Sequence, residues 1–174
     1  MKSQITIKKI QELLIKRVQT IYVDDDTSRR MWWASLEVIQ KDFLSQNYKQ
    51  GGIWVASPLP AFNDKKFLNQ LHGWLWSPEG FPYFQNENAG FLPVNNSEKI
   101  KKDFDLVSNY KVLNLSQEDG YEPFLMIITP NFQCVLSIVG EKDKKILLMK
   151  CDEESLKLSI ELMHAKLNQE NYEE

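Results

Sequence analysis

The sequence has little of what usually carries chemistry. Its 174 residues include two cysteines, Cys134 and Cys151, and two histidines, His72 and His164. Two cysteines do not make the disulfide framework of a small secreted domain. Two histidines fall short of most metal sites unless carboxylates help. The seven glycines are scattered, and none builds a GxGxxG or GxxxxGK phosphate loop. There is no GxSxG elbow and no HExxH pair. No apolar run reaches the roughly eighteen residues of a helical membrane span. Arginine occurs only as Arg17, Arg29 and Arg30, and 21 basic residues against 24 acidic ones give a net charge of −3. A dedicated nucleic-acid binder would carry a strongly basic face, so nucleic acid is not an expected partner. The start, MKSQITIKKIQELL, has lysines inside its apolar stretch and no cleavage site, which argues against a signal peptide and for a cytoplasmic protein.

What is present is a core. Apolar residues make up 43% of the chain, enough for one globular domain over 1–174. Residues 5–21 have helical periodicity, with Ile7, Ile10, Leu14, Val18 and Ile21 on one stripe. That stripe either packs on its own domain or makes 1–22 a dimerising helix. Asp24-Asp25-Asp26 fits a helix N-terminus, where caps and the helix dipole favour anions, better than a metal loop. A second helix over 28–46 puts Trp32, Leu36, Ile39 and Phe43 on one face, with Trp33 about 100° away, so either the helix is broad-faced or Trp33 meets a partner. A short strand follows at 53–56, then a short helix capped by Asn63. Ser77-Pro78-Glu79-Gly80 fits a type I turn and predicts a hairpin of 73–76 with 81–84. Ser97 is a candidate cap for a helix carrying Ile100, Phe104 and Val107. The last third reads as strands at 123–129, 132–139 and 145–151, then a helix over 153–168 capped by Asp152, with a frayed tail at 169–174. Leu156, Ile160, Met163 and Leu167 face inward on that helix. The order predicts an α+β fold: one antiparallel sheet, N-terminal helices, and a closing C-terminal helix, with helices covering one side.

Three constellations merit weighing. Trp54, Trp74 and Trp76 come from short strands near His72, Phe81 and Tyr83, and the cluster suits a pocket for a planar or apolar ligand, a core, or a docking surface. Cys134 shares a strand face with Phe132, Leu136 and Ile138, and Cys151 shares one with Leu147 and Met149. Pairing these apolar faces sets Cys134 across from Cys151, a candidate redox pair, whereas a slip by one residue sets it across from Lys150. Cys151 also stands at a helix start, where the dipole depresses a thiol pKa. The bland alternative is two buried, reduced thiols. His164 reads as a surface residue of the closing helix.

The stretches PFLMIITPNF (123–132), VLSIVG (135–140) and LLMKCD (147–152), with the ending Cys151-Asp152-Glu153-Glu154, resemble the sensor region of cyanobacterial two-component histidine kinases and the GAF-like DICT sensory domains. The helix RMWWASLE (30–37) and the turn SPEG (77–80) are similar to positions in the picocyanobacterial versions. The resemblance covers about 50 residues. It implies a GAF/PAS-like sensory input domain, usually dimeric, that responds to a small ligand, redox state or partner protein. The sequence departs from the family in that no kinase core follows Glu174, which leaves an excised sensor segment and a stand-alone regulator as alternatives. No cofactor is assigned by it; an iron–sulfur cluster would need two chains to pool their cysteines. No spacing places a nucleophile beside a base, so an enzyme is not expected. The competing expectation is a structural or assembly factor that docks through its helices.

Overall fold

The computed structural model describes residues 7–15, 21–44, 51–57, 68–78, 110–115 and 123–170. In chain order they form helix α1 (Ile7–Ile15), helix α2 (Asp25–Val38) running into a π-helical turn (Ile39–Leu44), strand β1 (Ile53–Ser57), and a 3-10 turn (Leu68–Gln70). Strands β2 (His72–Pro78), β3 (Tyr110–Leu115), β4 (Phe124–Ile128), β5 (Gln133–Glu141) and β6 (Lys144–Lys150) follow, and helix α3 (Glu153–Glu170) closes the chain. The strands make one six-stranded sheet in the order β3-β2-β1-β4-β5-β6. The class is α+β, as expected.

Two details of the expected sheet are corrected. The sheet is mixed, because β1 pairs parallel with β2 and β2 parallel with β3, while β1–β4, β4–β5 and β5–β6 are antiparallel. Parallel neighbours need a crossover of about a dozen residues or more, and the chain has that length at 58–71 and 79–109. Over residues 73–75 both edges of β2 are taken, by β1 and by β3. The expected hairpin partner 81–84, the start of the helix expected from Asn63, and the helix expected near Ser97 lie outside the described residues. Helices also cover both faces rather than one. α2 packs on a core of Trp54, Ala56, Leu75, Leu125, Ile127, Cys134, Leu136 and Ile138. α1 and α3 pack on the other, around Val55, Phe124, Met126, Val135, Ile146 and Leu148.

Helix α2 begins as its sequence dictates. Asp24 accepts a hydrogen bond from the Thr27 N–H at 2.6 Å, and Asp25 and Asp26 occupy the first turn. That bond holds the Asp24 carboxyl below its usual range. Trp32, Leu36 and Ile39 are buried as expected, but Phe43 is 40% exposed and Leu44 is buried in its place. The cause is the π turn, in which hydrogen bonds span i to i+5. It moves the inward position from four residues after Ile39 to five. Phe43 stacks instead on the ring of Phe132, with centroids 4.4 Å apart and planes 17° apart.

The C-terminal meander follows the predicted elements closely. β5 and β6 turn through Lys142-Asp143, where Asp143 adopts φ 61°. Asp152 caps α3 by accepting from the Ser155 N–H at 2.8 Å, which lowers its carboxyl pKa. The Ser159 hydroxyl, buried on the inward side of α3, donates to Ser155 O at 2.8 Å. At the outer edge of β6, Val23 forms an isolated antiparallel bridge to Lys145. Val23 N–H donates to Lys145 O at 2.9 Å, and Lys145 N–H donates to Val23 O at 2.8 Å.

Helix α1 carries a polar residue on its buried side. Ile10 and Leu14 are 1% and 3% exposed, and Gln11 between them is 5% exposed. Gln11 Nε2 donates to Ser137 Oγ at 2.8 Å and to Ile138 O at 3.3 Å, and Ser137 Oγ donates to Pro123 O at 2.8 Å. Burying each aliphatic side chain contributes about 1.5–3 kcal/mol, whereas a satisfied neutral hydrogen bond nets about 1 kcal/mol. Apolar burial therefore docks the helix, and the Gln11–Ser137 bond selects its axial position. Ser137→Ala is expected to cost about 1 kcal/mol, because it removes the shorter of the two hydrogen bonds of the buried Gln11 amide and leaves it only Ile138 O. Gln11→Met combined with Ser137→Ala is expected to recover much of that loss. Urea titration of the two single variants and the double variant measures the coupling.

Candidate functional site

Sheet register decides which of the predicted site residues meet. Trp54 pairs with Gly73 and with Ile127, Gly73 pairs with Tyr110, and Ile127 pairs with Cys134. Paired residues share a face, so a single row runs Cys134, Ile127, Trp54, Gly73, Tyr110 across the α2 side of the sheet. Gly73 supplies no side chain to that row, and the indole of Trp54 lies over it. A Cβ on Gly73 would sit 2.2 Å from Cε2 and Cζ2 and 2.7 Å from Nε1 of Trp54. The indole reaches toward the Tyr110 ring, with centroids 6.2 Å apart and planes tilted by 41°. Trp54 is fully buried, and its Nε1 finds no hydrogen-bond partner among the described residues.

The aromatic pocket expected from the sequence is divided by the sheet. Val55 pairs with Trp74, which places Trp74 on the α1/α3 side, half-buried against Val55 and its neighbours. Trp54 belongs to the opposite core. The alternation that put Trp74 and Trp76 on one face also removes Trp54 from it. His72 is exposed at the start of β2, and its N–H donates to Gly52 O at 2.9 Å. The side chain of Trp76, together with Phe81 and Tyr83, lies outside the described residues.

The proposed dimer stripe is also partly consumed. Ile10 and Leu14 are buried in their own domain, which removes them from any seam. Ile21 is 79% exposed and sits beyond the described end of α1. Trp33 is half-buried and packs on the α2-side core. Val18 and the side chain of Ile7 lie outside the described residues.

The cysteines adopt the first of the two registers weighed. Val135 pairs with Lys150 and Leu136 with Met149. One further step places Cys134 opposite Cys151, immediately past the end of β6. Both backbone groups of Lys145 point away from β5, toward Val23. Residues at two-residue steps from Lys145 share that orientation, so the 134/151 position is a non-hydrogen-bonded pair, the closer of the two kinds. Cys134 is fully buried and Cys151 is exposed, and both are free thiols. Burial and then the neighbouring Cys151 push the Cys134 thiol far above the ordinary thiol range, and a backbone hydrogen bond from Ile127 offsets part of this. Partial burial, and then the Asp152 carboxylate, push the Cys151 thiol up as well. The depressed thiol expected at this helix start is therefore not found. The adjacent cap carboxylate opposes the dipole.

Sequence reasoning missed the Gln11–Ser137 network and the Trp54–Gly73 contact. The first had a signal, since Gln11 and Ser137 are polar residues at inward positions of apolar patterns. The second had none, because it depends on β2 lying parallel beside β1. Among the described residues, no group of three or more His, Cys, Asp and Glu is placed to hold a metal ion.

Gly73→Ala is expected to cost at least about 1–3 kcal/mol, the range for overpacking a core. In a Trp54→Leu background the same substitution should cost much less. Guanidinium unfolding of the four proteins separates the clash from any general glycine effect.

No helix among the described residues is long and apolar enough to cross a membrane. Comparison with curated proteins and with solved structures gives no match. A family model does match, over residues 8–174, and its description is Domain of unknown function (DUF8628). That match spans nearly the whole sequence, and the chain belongs to this family.

Proposed function

We propose that this chain is a non-catalytic sensory or regulatory input domain of signal transduction, of the two-component kind, that answers a small ligand, a redox change or a partner protein. The observation that carries the proposal is the placement of α1 and α3. The first and last described helices lie on the same sheet face, over one apolar cluster that joins Ile10 and Leu14 to Leu156 and Ile160, and they contact each other. Gln11 ties α1 to β5, and Cys151 and Asp152 join β6 to α3. A rearrangement at β5 or β6 therefore biases both ends of the described fold at once, which is how a local event becomes a signal. The likeness of 123–154 to cyanobacterial sensor domains supports the same function. On this proposal the domain is cytoplasmic, forms a homodimer, and acts on a histidine kinase core or another signalling protein, with no nucleic acid or membrane partner.

One observation favours a second reading, a structural or assembly factor. Ile21 and Tyr22 are 79% and 60% exposed beside the edge strand β6, and such residues suit protein docking. Native mass spectrometry of the purified chain, with and without reductant, separates the two. The sensory reading expects a dimer, or an assembly that changes with reductant or carries extra non-protein mass. A bare monomer indifferent to reductant would overturn it in favour of docking.

A further inference from the structure

We infer that Cys134 and Cys151 form a reversible intramolecular disulfide, which makes the β6–α3 junction an oxidative modification site. The inference deepens the sensory reading by naming its redox input, and rests on that reading for its purpose though not for its chemistry.

The geometry stands on the ladder. The last bonded pair of β5 and β6 is Val135 with Lys150, and the same register carried one residue further sets Cys134 opposite Cys151, close enough for the two thiols to interact electrostatically. A non-hydrogen-bonded pair brings Cα atoms to about 4.5 Å with both side chains on one face. Disulfides span Cα separations of about 4.4–6.8 Å, so this position falls inside the permitted range. Cys134 is held by its pairing with Ile127 in β4. Cys151 lies beyond the end of β6 and before the Asp152 cap, in a link with no ladder pairing, which leaves it able to adjust its dihedral angles. Cys151 is exposed and Cys134 is fully buried, which fixes the order of events.

The oxidant is a peroxide from solution. The Cys151 thiolate attacks the peroxide oxygen and the O–O bond breaks. Cys151 sulfenic acid forms, and the hydroxide (or alkoxide) released takes back from solvent the proton the thiol had lost and leaves as water (or an alcohol). Cys134 Sγ then attacks Cys151 Sγ. The S–S bond forms, the S–O bond breaks, and the hydroxide released takes the Cys134 proton and leaves as water. Two thiols are oxidised by two electrons, and one peroxide is reduced. A dithiol reductant reverses the change by thiol–disulfide exchange. The disulfide ties the residue before the α3 cap to β5, a strand paired on both sides, so the first turn of α3 loses freedom to fray.

Both thiols are raised in pKa, so the thiolate fraction at neutral pH is smaller than for an ordinary cysteine. Crosslinking is therefore slow near pH 7, and its rate rises with pH, by roughly tenfold per unit while the thiolate fraction grows.

The test is hydrogen peroxide treatment of the whole chain, followed by intact mass and a non-reducing peptide map. The expected result is a loss of about 2 Da, one crosslinked peptide holding both cysteines, and reversal by dithiothreitol. Cys151→Ser, at an exposed position that leaves the core intact, should abolish the crosslink. Cys134→Ser should convert the product to stable oxidation of Cys151. Overoxidised Cys151 in the wild-type chain, with Cys134 still alkylated after unfolding, would overturn the inference. So would a disulfide between two chains through Cys151. Native mass of the same samples keeps the two proposals apart. A crosslink with no change in assembly retains the disulfide and removes the redox signal. An assembly that responds to reductant without a crosslink does the reverse.

Discussion

Strands β4 and β5 have no solvent face. Four of the five residues of β4 and Cys134 through Ile138 of β5 are buried, so each successive side chain is assigned to one of two separate cores. This two-residue alternation governs the rest of the molecule. It sends Leu125, Ile127, Cys134 and Leu136 to the α2 side and Phe124, Met126 and Val135 to the α1/α3 side. It also decides that Ser137, at the next inward position on the second side, must find a polar partner, which α1 provides through Gln11. A shift of one residue in β5 would exchange the two sets and strand that serine among the side chains of α2.

The neighbouring strands inherit the constraint. β1 lies next to β4, and Trp54 falls on the α2 side because Ile127 does. An indole in that row needs more width than one strand spacing offers, and Gly73 in β2 provides it. Its Nε1 has no hydrogen-bond partner among the described residues, so within them Gly73 serves the shape of the indole. The same row ends at the cysteine pair, so the aromatic and sulfur features that looked independent along the chain are parts of one transverse line.

Legibility in the sequence tracked the range of the interactions involved. The meander from Phe124 to Lys150, the Asp24 and Asp152 caps, and the Cys134/Cys151 register were readable, because each depends on residues near one another in the chain. Alternation, a two-residue turn and cap chemistry are local. The parallel pairing of β1, β2 and β3 was not readable. Ile53–Ser57 is too short to announce direction, and Tyr110–Leu115 offers only a weak alternation. The separation of Trp54 from Trp74 was hidden for that reason, since faces can be assigned within strands but not between them. The π turn was equally hidden. Nothing in Ile39–Leu44 distinguishes a five-residue step from a four-residue one until Leu44 is seen buried and Phe43 at the surface. The thiol environment of Cys151 was hidden because partial burial of the sulfur, and then the anion of the capping Asp152 beside it, outweigh the helix dipole.

The outer edge of β6 has a consequence for self-association. Among the described residues only Val23 covers it, at Lys145. An open strand edge invites an identical strand to add to it. If two copies of β6 met antiparallel about Leu147, Lys144 of each would stand against Lys150 of the other, and like charges facing across a ladder repel. In that register the lysines at both ends of Ile146–Met149 oppose edge-to-edge pairing of two β6 strands.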